Sequence, residues 1–301
     1  MTKQVHSLAA ACLLLGLGLS GASAQGLGLV LQKIKETGTI TIGNREASVP
    51  FSYLDDSQKP IGFSLDLCGL VVDKVRATIG IANLKLEYQA VNSSNRIPLV
   101  KNRTVDIECG STANTIPRQS EVAFSVTTYA PQFKWIALKS SGTKKTDDLK
   151  RKSVVVTQGT NTAQFVAKLN AEKALGLKIL QGKDHAESFL LVQTGRASAF
   201  MEDDILLAGL KATAAAPDDF VFLEDAFPSD PYGLVVSKDD PGFKRLVDDV
   251  LMAAMKSGEY DKLYAKWFES PIPPRNVNLH FAQSEKLKGL VKSPNDKAVG
   301  Q

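Results

Sequence analysis

The chain predicts an α/β protein of two lobes, each a mostly parallel sheet flanked by helices. Three observations carry that reading. Short apolar runs of strand length alternate with amphipathic runs of helical period, the pattern of βα units around a parallel sheet. The alternation comes in two sets, parted near residues 125–131. A shorter segment follows residues 228–232, so the chain crosses between lobes twice. A length of 301 residues is enough for two lobes with their own cores.

Thr39 to Gly43 reads as the first strand. Phe51–Tyr53 and Ile61–Phe63 flank the turn-rich Asp55-Asp56-Ser57, a hairpin-like excursion. Asp66 to Ile79 places Leu67, Leu70, Val71 and Val75 at helical spacing. Leu84 to Tyr88 alternates as a strand. Asn92-Ser93-Ser94 offers N-caps before Ile97, Leu99 and Val100, and Val105 to Cys109 is the next strand. The second set runs through strands at 133–138, 153–156, 177–180, 197–201 and 220–223. Its helices fall at about 162–175, 185–194 and 203–211. The return begins with a strand at 232–236 and helices at 241–256 and 259–268; the Pro-, Asn- and Lys-rich tail 270–301 is expected to wrap the surface. Double crossing makes a hinge, because a few residues absorb the backbone change when the cleft closes.

The first residues have the form of a cleavable signal peptide, 1–24: Lys3, an apolar run from Leu8 to Leu19, then Ala22-Ser23-Ala24. That run is short of the roughly 20 residues a spanning helix needs. Gly16, Gly18 and Gly21 spell a dinucleotide fingerprint, but it lies in the leader and lacks a βαβ frame. The expected division is 25–129 for lobe 1, 130–229 for lobe 2, and 230–301 for the return to lobe 1 and the tail. The net charge of +4 falls to about +3 without Lys3. Its basic residues are scattered, so nucleic acid is not an expected partner, while anionic ligands are favoured. Cys68 and Cys109 remain after the leader is removed. They could pair in an oxidising compartment, but two buried thiols are the favoured reading. No P-loop, G-x-S-x-G elbow, CxxC or HExxH spacing occurs, and no metal or cofactor is expected. Two Asn-x-Ser/Thr sequons, at Asn92 and Asn102, are read as without meaning in an exported bacterial chain.

Several stretches occur in a telling order: Gly43-Asn44-Arg45-Glu46, Pro50-Phe51-Ser52-Tyr53, Ser93-Ser94-Asn95-Arg96-Ile97-Pro98-Leu99 and Glu108-Cys109-Gly110-Ser111-Thr112. They are followed by Lys183-Asp184-His185, Ala199-Phe200-Met201-Glu202-Asp203-Asp204, and Trp267-Phe268 leading to Pro271-Ile272-Pro273-Pro274. In these the chain resembles the family-3 solute-binding proteins of bacterial ABC importers, the glutamate/aspartate branch in particular. The resemblance implies a periplasmic-binding-protein type II fold, a periplasmic monomer, an acidic amino acid held between the lobes, and delivery to an ABC permease.

Such a ligand carries two carboxylates and one ammonium, and a dry cleft has to pair all three. Arginine suits carboxylates because its planar fork donates two parallel hydrogen bonds. By resemblance, Arg118 takes the α-carboxylate, assisted by Thr160 at a helix N-terminus. Asp203 takes the ammonium with help from Ser111. Arg45, Ser93, Arg96 and His185 surround the side-chain carboxylate. Each has a plainer alternative: a solvated ion pair for the arginines, a helix cap for Ser93 and Asp203, a helix start for His185. Ala113 and Asn161 depart from the branch, where hydroxyl residues are expected; one lost hydrogen bond is worth about 1 kcal/mol. Two rivals stand beside the binding reading. One is a periplasmic enzyme on the same fold, a cyclohexadienyl/prephenate-type dehydratase, with Glu46, His185 or Glu202 as acid or base. The other is a receptor ectodomain.

Overall fold

The computed structural model describes residues 27–298; the predicted leader 1–24 lies outside the described residues. Helix α1 (Leu29–Thr37) leads into β1 (Thr39–Asn44). A small three-stranded antiparallel excursion follows: β2 (Ala47–Ser48), β3 (Ser52–Leu54) and β4 (Pro60–Ile61). Helix α2 (Phe63–Ile79) is amphipathic and ends where Gly80 takes a left-handed cap. It buries Leu67, Val71, Val72 and Val75; each such side chain contributes about 1.5–3 kcal/mol. Then come β5 (Lys85–Ala90), α3 (Arg96–Lys101), β6 (Ile107–Glu108), α4 (Ile116–Gln119) and β7 (Ala123–Phe124).

After a first crossing the second lobe contains β8 (Gln132–Leu138), β9 (Ser153–Thr157), α5 (Asn161–Glu172), β10 (Lys178–Gly182), α6 (His185–Gln193), β11 (Ala199–Asp203), α7 (Asp204–Thr213) and β12 (Phe220–Pro228). The second crossing returns to β13 (Val235–Val236), α8 (Pro241–Ser257) and α9 (Glu259–Phe268). The chain then forms a small hairpin of β14 (Pro271–Ile272) and β15 (Val277–Asn278), followed by α10 (Glu285–Lys292).

The two five-stranded sheets have matching orders, β5-β1-β6-β13-β7 and β10-β9-β11-β8-β12. In the first, β1 is parallel to β5 and β6, while β13 is antiparallel to β6 and β7. In the second, β9 is parallel to β10 and β11, while β8 is antiparallel to β11 and β12. Four strands of each sheet therefore run one way. The reversed strand, β8 or β13, is the one that follows a crossing. The second sheet is buried on both faces, as βα connections require. Phe133, Trp135, Val154 and Val156 face one core, and Ile136, Val155 and Phe200 the other, which is the period-two alternation of a strand.

The crossings run side by side. Tyr232 N–H donates to the Tyr129 carbonyl at 2.8 Å, and Thr128 N–H to the Tyr232 carbonyl at 2.8 Å. The Phe51 ring lies 5.0 Å from Tyr129, 5.2 Å from Tyr232 and 5.5 Å from Phe268. One aromatic cluster thus ties the excursion, both crossings and α9 together.

One expectation changes. Cys68 and Cys109 are not free thiols; they form a disulfide with Cα atoms 6.3 Å apart. They belong to α2 and the end of β6, elements brought together by the lobe 1 core. The tail lies on the surface, as expected, and adds the β14–β15 hairpin and α10 there. α10 buries Leu287, and the Asp296 carbonyl accepts hydrogen bonds from Asn114 and Gln119 side chains at 2.9 Å each. Among the described residues, no helix is long and apolar enough to cross a membrane.

Candidate functional site

The candidate residues lie at the C-terminal ends of parallel strands, where open α/β sheets leave a crevice. Arg45 follows β1, Ser93 and Arg96 follow β5, and Ser111 and Arg118 follow β6. Across from them, Thr160 follows β9, His185 follows β10, and Asp203 ends β11. Matching strand orders in the two lobes bring equivalent loops face to face.

From lobe 1, Arg45 and Arg96 are both buried to 2% exposure. Arg96 Nη1 donates to the Ser111 carbonyl at 3.2 Å, while its Nε has no protein partner. Arg45 Nη1, Ser93 Oγ and Ser111 Oγ are likewise buried and unpartnered. Glu108 is buried beside both arginines, and its Oε2 accepts from Thr112 Oγ1 at 2.7 Å. Gly110 permits this packing: a Cβ there would stand 2.2 Å from Glu108 Oε1 and 2.8 Å from Arg45 Cγ. Arg118 spans the lobes. Its Nη1 donates to the Ala113 carbonyl at 2.8 Å and its Nη2 to the Gly159 carbonyl at 2.9 Å. A cavity of about 470 Å³ opens beside it, lined by Ser93, Arg118, Gly159 and Thr160 among others.

From lobe 2, Thr160 N-caps α5, accepting from Ala163 N–H and donating to the Thr157 carbonyl. Its hydroxyl is committed to the cap. Asp184, not His185, caps α6. His185 is buried, with Nδ1 2.9 Å from Thr157 Oγ1 and 3.5 Å from Glu202 Oε2. Asp203 occupies the N-cap position of α7 without capping it. Its carboxylate instead accepts from Ser229 Oγ at 2.6 Å and from the Tyr232 hydroxyl of the second crossing. Asp204 Oδ1 turns to the backbone N–H of Ile205.

Burial, followed by the neighbouring Arg96, lowers the Arg45 guanidinium to about 10 and that of Arg118 to about 9. Both keep their charge at neutral pH. Burial also lowers Arg96, opposed by Glu108. His185 is held well below its ordinary value by burial and then by Arg45 and Arg96, so it is neutral. Burial and then Glu202 push Asp203 well above the carboxylate range, and burial raises Glu202. Three guanidinium groups are thus crowded together, and the adjacent carboxyl groups Glu202 and Asp203 are held in the same buried region. A molecule with separated anionic and cationic groups relieves both.

Ser93, Arg118 and Thr160 line the cavity, while Arg45, Arg96, Ser111, His185 and Asp203 are buried at the adjoining strand ends. The capping alternative does not hold for Ser93 or Asp203; His185 does begin α6, and the Thr160 hydroxyl does cap α5. Sequence reasoning missed Glu108, Thr112, Thr162, Ser229 and Tyr232 as parts of the arrangement, and weighed Glu202 only as an enzyme's acid or base. Thr162 Oγ1 donates to Glu202 Oε1 at 2.9 Å. A usable signal existed for the two glutamates, since each sits at the end of an apolar strand, where a charge needs a partner. Among the described residues, no group of His, Cys, Asp or Glu could hold a metal ion.

The chain is 48% identical over 272 residues to an L-glutamate/L-aspartate-binding protein of Pseudomonas aeruginosa, covering 90% of each chain. It is 43% identical over 300 residues to a glutamate/aspartate import solute-binding protein of Salmonella typhimurium, covering 98% of this chain and 99% of that one. Among solved structures, a mutant of ArgBP from T. maritima superposes with a TM-score of 0.70 at 27% identity, covering 80% of this chain and all of that one. An ancestral amino acid-binding protein, AncCDT-1, described as a precursor of cyclohexadienyl dehydratase, gives 0.67 at 27% identity, covering 79% and 98%. Residues 40–270 match the profile of the bacterial extracellular solute-binding proteins, family 3. The chain belongs to that family.

Proposed function

We propose that this protein captures L-glutamate or L-aspartate between its lobes in the periplasm and delivers it to the membrane subunits of an ABC permease. It acts as a monomer hinged at 129/130 and 229/230. The observation that supports the reading is the mutual proximity of Arg45, Arg96 and Arg118, with Asp203 near Arg96. Arg118 and the first N–H groups of α5 hold the α-carboxylate. Asp203 and Ser111 hold the ammonium, and Arg45, Ser93, Arg96 and His185 hold the side-chain carboxylate. Closure around the ligand makes the form that the permease prefers, so occupancy becomes the transport signal.

No catalysis is proposed. The kinship with a dehydratase precursor concerns the fold, and fold does not carry function. Glu202 and His185 are buried in the protein and hydrogen-bonded to Thr162 and Thr157 rather than poised as a solvent-linked acid and base. Calorimetry with a panel of amino acids tests the reading: glutamate and aspartate bind one to one, while glutamine, asparagine and lysine bind far more weakly. Equal binding of glutamine and glutamate refutes the acidic assignment. Turnover of a prephenate-like acid would establish the enzyme instead.

A further inference from the structure

The hydroxyls around His185 determine which ring nitrogen carries its hydrogen. Ser188 has one hydroxyl hydrogen, and its Oγ lies 2.9 Å from the Asp184 carbonyl. A carbonyl only accepts, so the hydrogen is used there. Thr157 Oγ1, 2.9 Å from Ser188 Oγ, therefore donates to it. With its hydrogen used, Thr157 accepts from His185 Nδ1 at 2.9 Å. Glu202 Oε2 reinforces this arrangement. It is buried, has no hydrogen bond of its own, and lies 3.5 Å from the same Nδ1. A lone pair on Nδ1 would face two oxygen acceptors; an N–H satisfies them.

Neutral His185 then has only a lone pair on Nε2. A carboxamide N–H can donate to that lone pair; a carboxylate cannot. We propose that Glu202 is a specificity-determining positioning residue. With Thr157 it fixes His185 as the Nδ1–H form, so that capture of an acidic side chain adds one proton from solvent at Nε2. The resulting imidazolium lies between Glu202 and the ligand's carboxylate. Preference for the acid over its amide therefore grows as pH falls. This rests on the proposed acidic ligand and on His185 contacting its side chain.

The groups that bear on the ring come from five elements. Thr157 ends β9, Ser188 lies one turn along α6 from Asp184, and Glu202 is in β11. From the other lobe come Arg45 after β1 and Arg96 at the start of α3. The arginines oppose the added proton, whereas Glu202 and the incoming carboxylate favour it. Glutamate and glutamine share their α-carboxylate and ammonium, so any proton exchange at Asp203 is common to both. The difference between them isolates His185.

The test uses the full exported protein with ¹⁵N-labelled histidine, since the whole chain has three histidines. Without ligand, His185 should show the neutral Nδ1–H form. With saturating glutamate both nitrogens should be protonated, and with glutamine the ring should stay neutral. Calorimetry in two buffers of different ionisation enthalpy, above pH 6.5, should show glutamate taking up close to one proton more than glutamine. Glu202→Gln keeps an oxygen for Thr162 but loses the charge. It should abolish that extra uptake and cut the glutamate-to-glutamine preference by about tenfold or more, with glutamine affinity little changed. An Nε2–H form in the free protein overturns the proposal, as does glutamate binding with His185 still neutral. Failure of glutamate to bind at all overturns the acidic-ligand reading as well, which distinguishes the two.

Discussion

Replacing Arg96 by Met removes a buried guanidinium while keeping much of its length and apolar stem. Two consequences follow from the structure. The protein loses the Nη1 bond to the Ser111 carbonyl, a net cost to stability of about 1 kcal/mol. Glu108 also loses one of its three neighbouring cations. For a ligand carboxylate the loss is larger. One or two charge-assisted hydrogen bonds, at about 1.5–3 kcal/mol each, vanish from a closed cleft. A carboxylate left there without its partner is costly as well. The sum, about 3–4 kcal/mol, corresponds to a roughly 200- to 1,000-fold weaker Kd for glutamate. Glutamine brings no charge to the lost guanidinium and should weaken by less than about tenfold. Calorimetry with both ligands measures the two changes, with thermal unfolding as the check on folding. Equal weakening of glutamate and glutamine would refute the assignment of Arg96 to the ligand's side chain.

Three further outcomes follow. Gly159 has φ +74°, and a Cβ there would lie 2.6 Å from Ser94 Oγ and 2.8 Å from the Ser93 carbonyl carbon. Gly159→Ala should therefore hold the lobes apart and weaken glutamate binding by about tenfold or more; small-angle scattering that still shows ligand-induced compaction, with unchanged affinity, contradicts this. The Cys68–Cys109 disulfide spans a separation of 41 residues, so replacing both cysteines by Ala should cost about 3–4 kcal/mol and lower Tm by roughly 10 °C, and a loss under about 2 °C counts against it. His185 is held well below its ordinary value of 6.5, so its stabilising contribution is full above pH 6.5 and is lost as pH falls below that. The ligand-free wild type should lose up to about 1.4 kcal/mol per pH unit more than His185→Gln in that window, and parallel unfolding profiles would show that the ring is not buried neutral.

Much of the fold was legible because it is periodic. The runs at 39–43, 153–156 and 259–268 match β1, β9 and α9 within a residue or two. Short elements carry too little period to be read: β7 and β13 pair over two residues each, and α4 makes one turn. The disulfide depends on the approach of α2 to the end of β6, which no local pattern encodes. The candidate positions came from a resemblance spread over residues 43–274, and the structure sets Arg45, Arg96 and Arg118 near one another. The same reasoning paired each cleft charge with the ligand alone. It overlooked that buried arginines also need protein carboxylates, so Glu108 and Glu202 escaped notice as parts of the cleft wall. Thr160 shows the opposite error, since its hydroxyl is used by the helix it starts.

A crystal structure of the protein with glutamate tests the central claim most directly. The α-carboxylate should lie on Arg118 and the first N–H groups of α5, the ammonium on Asp203, and the side-chain carboxylate between Arg45 and Arg96. A ligand bound with its side-chain carboxylate away from both of those arginines, or outside the interlobe cleft, would contradict the account.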